Sequence, residues 1–148
     1  MNVPYYPLFP SDDLMHFKFF SEGPRGRIVK VITYTLIKTR PFVVFNLALG
    51  DVERRTRQLT HSSVSDNGDR DKVLMTVAKS VEFFIDRYPG VWIVAHGNTP
   101  TRTRLYRMLI SNNLDEIQRK FNVYGIKGTN TELFRKNENY DGFIVEAF

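Results

Sequence analysis

Arg27 to Lys38 reads RIVKVITYTLIK. Val, Ile, Thr and Tyr fill the stretch, and these β-branched and aromatic side chains fit a pleated surface better than a helix. Period-two alternation puts Ile28, Ile32, Tyr34 and Leu36 on one face and Val29, Val31 and Ile37 on the other. Upstream, Glu22-Gly23-Pro24-Arg25-Gly26 has the composition of a turn, and His16 to Ser21 (HFKFFS) precedes it as a short aromatic strand. Downstream, Thr39-Arg40-Pro41 breaks the strand and Phe42 to Leu49 (FVVFNLAL) follows as a third, ended by Gly50-Asp51. Strand, turn, strand, turn, strand is an antiparallel meander. Three prolines in the first ten residues predict an extended, proline-rich arm over residues 1–13. Residues 52–71 show no period and predict a polar loop that carries a basic knot, Arg54, Arg55 and Arg57.

The pattern then changes. From Asp71 to Tyr88, apolar residues recur every three or four positions (Val73, Leu74, Val77, Ala78, Val81, Phe84, Ile85), which predicts a helix. Asp69 or Asp71 suits its N-cap, and Pro89-Gly90 ends it. Val91 to Ala95 (VWIVA) reads as a strand buried on both faces. Thr99-Pro100 opens a second helix with an apolar stripe of Leu105, Tyr106, Leu109 and Ile110. Asn113 then caps a short helix that buries Leu114, Ile117 and Phe121. Val123–Ile126, Thr131–Arg135 and Phe143–Phe148 complete the chain as strands. The expected architecture is one α+β domain over residues 1–148, in the order β-β-β-α-β-α-β-β-β. A mainly antiparallel sheet carries two main helices on one face.

Bulk composition narrows the function classes. With 148 residues, 42% hydrophobic and 25% charged, the chain has the make-up of a globular protein. Zero cysteines exclude a disulfide scaffold, a thiolate metal site and a cysteine nucleophile. No apolar run reaches the roughly 20 residues of a membrane span. No signal peptide is legible at the N-terminus, so the cytoplasm is the expected location. No two of the three histidines have metal-ligand spacing, and Ser65 to Asp71 lacks the order of a calcium loop, so no metal and no cofactor are expected. The net charge of +5, with Arg supplying most of the 21 cations, points to an anionic partner such as nucleic acid or a phosphate-bearing ligand.

Val91 to Tyr106 (VWIVAHGNTPTRTRLY) is the most informative segment for function. A buried strand runs through a Gly-containing loop into a helix start, where unpaired amides and the helix dipole favour an anion. The candidate anion-binding residues are His96, Asn98, Thr99, Thr101, Arg102 and Arg104. Arginines at a helix start are electrostatically misplaced. Either a ligand or an internal carboxylate (Asp66, Asp69 or Asp71) should compensate them. Arg102 and Arg104 lie two residues apart and point away from each other, whereas Arg104 and Arg107 share a face. Arg102, in the first turn, is the first choice for ligand contact. The P-loop and dinucleotide patterns are both missing. His96 is a loop-structuring residue or, in an enzyme, a general acid or base. Phe17, Phe19, Phe20 and Tyr34 read as core, with a base-stacking platform as the alternative.

FFSEGPRGRI (Phe19 to Ile28), FNLALGD (Phe45 to Asp51), VSDNGDRDKVLMTVA (Val64 to Ala78), RYPGVWIVAHGNTPTRTRLYRM (Arg87 to Met108) and the late LFRK and NYDGFIV together resemble a family of small bacterial proteins classed as a domain of unknown function. GNTPTRTRLY is the most specific of these segments. The resemblance carries no activity. It implies at most a small protein partner, as in toxin–antitoxin pairs. The chain departs from it at VERRTRQLTH, which is more basic, so the resemblance lends nothing to Arg54, Arg55 and Arg57. Three functions remain open from sequence. One is an anion-binding protein, one is an enzyme on a phosphate-bearing substrate (a toxin-like nuclease or a transferase), and one is a protein-interaction module or homo-oligomer.

Overall fold

The computed structural model of the chain describes residues 4–60, 67–96 and 100–147. The fold is α+β and mostly antiparallel, and the chain divides into two compact units. One draws on residues 2–34 and 48–87, the other on residues 35–47 and 88–148, so each is built from two separate stretches.

The first unit holds β1 (Phe9–Pro10), β2 (His16–Gly23), most of β3 (Gly26–Lys38), the end of β4 (Val44–Val52), β5 (Leu59–Thr60) and α1 (Arg70–Arg87). It is called the α1 unit below. β2 and β3 pair antiparallel, with Phe17 opposite Ile32, Phe19 opposite Lys30 and Ser21 opposite Ile28. Alternation buries Phe17, Phe19 and Ser21 and turns His16, Lys18, Phe20 and Glu22 outward. α1 buries Leu74, Val77, Val81, Phe84 and Ile85. It meets the inner face of β3 where the Tyr34 ring stacks on Phe84 at 4.0 Å. The expected arm is bound to this unit. β1 pairs with β2, Tyr6 stacks on Phe19, and the Tyr6 amide donates to Thr76 Oγ1 at 2.9 Å. The expected polar loop after β4 begins as a hairpin, with β5 paired antiparallel to β4. His61 and Asp66 lie outside the described residues.

The second, or α2, unit has the strand order β4-β6-β9-β7-β8. Its elements are the start of β4, β6 (Trp92–His96), α2 (Pro100–Asn112), α3 (Leu114–Ile117), β7 (Phe121–Lys127), β8 (Asn130–Leu133) and β9 (Gly142–Ala147). β4 and β6 pair parallel, Val44 opposite Trp92 and Leu47 opposite Ala95, while β6-β9, β9-β7 and β7-β8 are antiparallel. A parallel pair needs a crossover connection, which is the role of the chain between β4 and β6. Phe45, Ile93, Phe143 and Val123 form the buried side. On the alternate positions, Phe42 stacks on Trp92 at 4.7 Å and Trp92 on Tyr124 at 6.0 Å.

Several local expectations need correction. Leu36 continues the inward alternation of β3 yet is exposed, because it stands past Tyr34 near the strand end. In α2 the fully buried stripe is Arg102, Tyr106 and Ile110, spaced by four, so Leu105 and Leu109 lie on its flank. Asn113 makes no side-chain cap to α3. Its Nδ2 instead donates back to the Leu109 carbonyl at 2.9 Å and closes the end of α2. Phe121 begins β7 and does not belong to the short helix.

Candidate functional site

α2 starts at Pro100, which lacks the N–H that a first helical turn could not use and whose ring fixes φ at a helical value. Arg102 follows in that first turn and is 4% exposed. Tyr106, one turn later on the same stripe, is 5% exposed. No acidic residue occupies the first turn of α2. Burial pushes the Tyr106 phenol above its ordinary pKa, and the positive charge of Arg102 opposes that rise, so the two polar heads feel each other.

The Tyr106 hydroxyl has no hydrogen-bond partner among the described residues. The other buried tyrosines differ. Tyr6 Oη donates to Asp69 Oδ2 at 2.6 Å. Tyr34 Oη pairs with Ser80 Oγ at 2.8 Å. Tyr140 Oη donates to Glu132 Oε1 at 3.0 Å and accepts from the Arg135 amide at 3.0 Å. Leaving a buried hydroxyl unsatisfied costs about 1–3 kcal/mol.

The sequence candidates separate in space. Arg102 is buried, whereas Thr101, Arg104 and His96 are exposed, and Asn98 and Thr99 lie outside the described residues. Arg102 and Arg104 therefore do not act on one small ligand from the same side. Arg107 does not join Arg104: its Nη1 donates to Asn139 Oδ1 and, at 3.4 Å, to the Glu138 carbonyl. The His96 ring lies over Gly142, where any Cβ would collide with Nδ1. Sequence reasoning placed Tyr106 in the apolar stripe and missed its unsatisfied hydroxyl. The available signal was a hydroxyl-bearing side chain four residues after a stripe arginine.

Of the carboxylates proposed to compensate the arginines, Asp69 is engaged within its own unit. Its Oδ2 accepts from Tyr6 Oη and from Ser21 Oγ, the latter at 2.5 Å. Its carbonyl accepts the Val73 amide at 2.9 Å, which puts it at the head of α1. Asp71 is exposed in the first turn of α1. Beside this, Asn67, fully buried, takes the Arg25 amide on Oδ1 at 2.7 Å and donates to the Gly26 carbonyl at 2.8 Å. A side chain at Gly23 would overlap the Asn67 carbonyl, so glycine is required there. Deeper in the sheet, Lys30, 1% exposed, meets Asp51 Oδ1 at 2.6 Å. These groups close the turn and the sheet of the α1 unit among themselves.

Among the described residues no group of three His, Asp or Glu could hold a metal ion. No described helix is long and apolar enough to cross a membrane.

Fold and geometry together define a mostly antiparallel α+β protein with a buried arginine–tyrosine stripe on its second main helix. The chain belongs to the family of unknown function DUF6934, which matches residues 2–147. Comparison with the curated proteins and with the solved structures gives no match.

Proposed function

We propose that the protein binds a phosphate-bearing ligand at the first turns of α2, with Arg102 supplying charge and Tyr106 supplying a hydroxyl donor. The observation that carries this reading is the Tyr106 hydroxyl, buried and without a partner among the described residues while the other buried tyrosines are all satisfied. An acceptor oxygen from a ligand would remove that penalty. The start of a helix adds amide donors and a favourable dipole, and a guanidinium adds a fork matched to phosphate oxygens. Asn98, Thr99 and Thr101 precede or open the helix and would complete the cradle, while Arg104 and His96, both exposed, would attract the ligand from outside.

The test is thermal unfolding with inorganic phosphate or pyrophosphate titrated in. The wild type should rise in Tm as the ligand saturates, by mass action. Tyr106→Phe should keep its basal stability and lose most of that rise. Arg102→Lys, which keeps charge but loses the fork, should weaken it. An equal rise in Tyr106→Phe, or none in the wild type, defeats the proposal.

A further inference from the structure

We propose that the outward face of β2 and β3, with the hairpin between β4 and β5, is a docking surface for single-stranded nucleic acid. It uses no residue of the α2 site and stands without it.

The surface is a chain of contacts within the α1 unit. Phe9, 51% exposed, meets Phe20 edge to face with centroids 5.6 Å apart. The Arg27 guanidinium lies over the Phe20 ring at 4.2 Å, and Lys18 approaches the same ring at 5.6 Å. Arg54 reaches from the hairpin and donates through Nη2 to the Arg27 carbonyl at 2.6 Å. That one bond joins two basic segments that are far apart in sequence, Arg25–Arg27 and Arg54–Arg57. Lys18 and Arg27 thereby meet at the Phe20 ring and Arg54 joins Arg27, while Arg25 stands in the adjoining turn and Arg55 and Arg57 in the same hairpin as Arg54, all of them exposed.

Three features favour a nucleic-acid strand over plain solvation. First, Arg27 and Arg54 are held, one by stacking and one by a carbonyl, so ordering them on a phosphate costs less entropy than ordering free side chains. Second, the Arg27–Glu22 contact, 3.3 Å between side chains about 60% exposed, is a weak surface pair that a phosphate can displace. Third, Arg57 sits at φ 57°, in the left-handed region, while its amide bonds the Glu53 carbonyl at 2.7 Å. Glycine or asparagine would relieve that strain, yet a cation is placed there. Phe9 adds an exposed ring beside the cations, the combination on which single-stranded bases stack while the backbone is neutralised.

The experiment is fluorescence anisotropy with a labelled 20-nucleotide single strand, as DNA and as RNA, between 50 and 200 mM salt, with the matching duplex alongside. Expected is salt-sensitive binding to the single strand and weaker binding to the duplex. Arg25→Gln, Arg55→Gln and Arg57→Gln combined should make the log–log salt slope shallower by about 2, near 0.7 per phosphate contact. Phe9→Ala should weaken binding by on the order of tenfold. Arg57→Gly should keep or raise Tm and still lose affinity, which separates the surface from a folding effect. Arg119→Gln, removing an exposed cation of the α2 unit, should change nothing. Absence of binding at 50 mM salt, salt-independent affinity, or equal loss in Arg119→Gln overturns the proposal. Duplex bound as tightly as the single strand overturns the assignment to single strands. A phosphate-induced Tm rise at α2 is unaffected by any of these results.

Discussion

At the head of α1 stand Asp69 and Asp71, where the amide groups of the first turn point, and Arg87 stands at its tail. At the head of α2 there is no acidic residue in the first turn and no basic one in the last, and a buried arginine takes the place of the carboxylate. α1 thus follows the helix dipole at both ends, and α2 opposes it at its start. The α1 head is also closed by its surroundings, since Tyr6 and Ser21 both donate to Asp69. Along α2 the Tyr106 donor has no partner among the described residues. A head that satisfies itself builds structure; the start of α2 is the place where the proposed ligand would bind.

The comparison can be broken most forcefully in the closed region. Lys30→Met removes the buried cation that meets Asp51 Oδ1 and should cost about 3–5 kcal/mol in urea unfolding, the usual loss when one partner of a buried pair is removed. Adding Asp51→Leu should recover most of it. If Lys30→Met alone is harmless, the α1 unit does not depend on its internal pairs. Asp69→Ala comes next. It strips the acceptor from two hydroxyls at the head of α1 and should cost about 2–3 kcal/mol, since hydrogen bonds to a charged group are the stronger kind.

The smallest effect sharpens the contrast most. Tyr34→Phe should cost about 1 kcal/mol, because it removes the hydrogen bond to Ser80 Oγ, which keeps its own bond to the Val77 carbonyl at 2.7 Å. Tyr106→Phe should be neutral or stabilising by up to about 1 kcal/mol, because it deletes a hydroxyl that pays no return in the free protein. A pH series separates them further. The Tyr106 phenol is raised in the folded chain, so the unfolded chain ionises first and stability falls as pH climbs past about 10. Tyr6 is raised as well, by burial first and by Asp69 second, and contributes to the same fall. Tyr106→Phe should therefore make the alkaline loss shallower without abolishing it. An unchanged alkaline profile would contradict the burial of that hydroxyl.

Long periodic segments were legible in the sequence. The alternation in RIVKVITYTLIK marks β3, and the three-and-four spacing after Asp71 marks α1 to within a residue at each end. Two-residue strands such as β1 and β5 have too few positions to show any period, so they read as arm and loop. Lys30 falls between Ile28 and Ile32 on the inward set, but a charged residue there was not read as buried. Its partner Asp51 looked like a turn residue because it follows Gly50. The parallel pairing of β4 with β6 depends on contacts that no local window contains. The place of Arg102 in the first turn of α2 was legible, though its burial was not. Tyr106 was not, since spacing reports which side chains are buried and never whether a hydroxyl finds a partner. For the platform of Phe17, Phe19, Phe20 and Tyr34, three rings are core and Phe20 alone turns out, where it meets Phe9 and Arg27.

The two units are interleaved along the chain, the boundary falling inside β3 and again inside β4. Contiguous modules can be cut out, fused or exchanged by a single crossover. These cannot, because any one breakpoint severs a stretch that one of the two needs. The shortest continuous piece that carries the first unit is residues 2–87 and that of the second is residues 35–148, so the two pieces overlap over residues 35–87, and the family match spans residues 2–147.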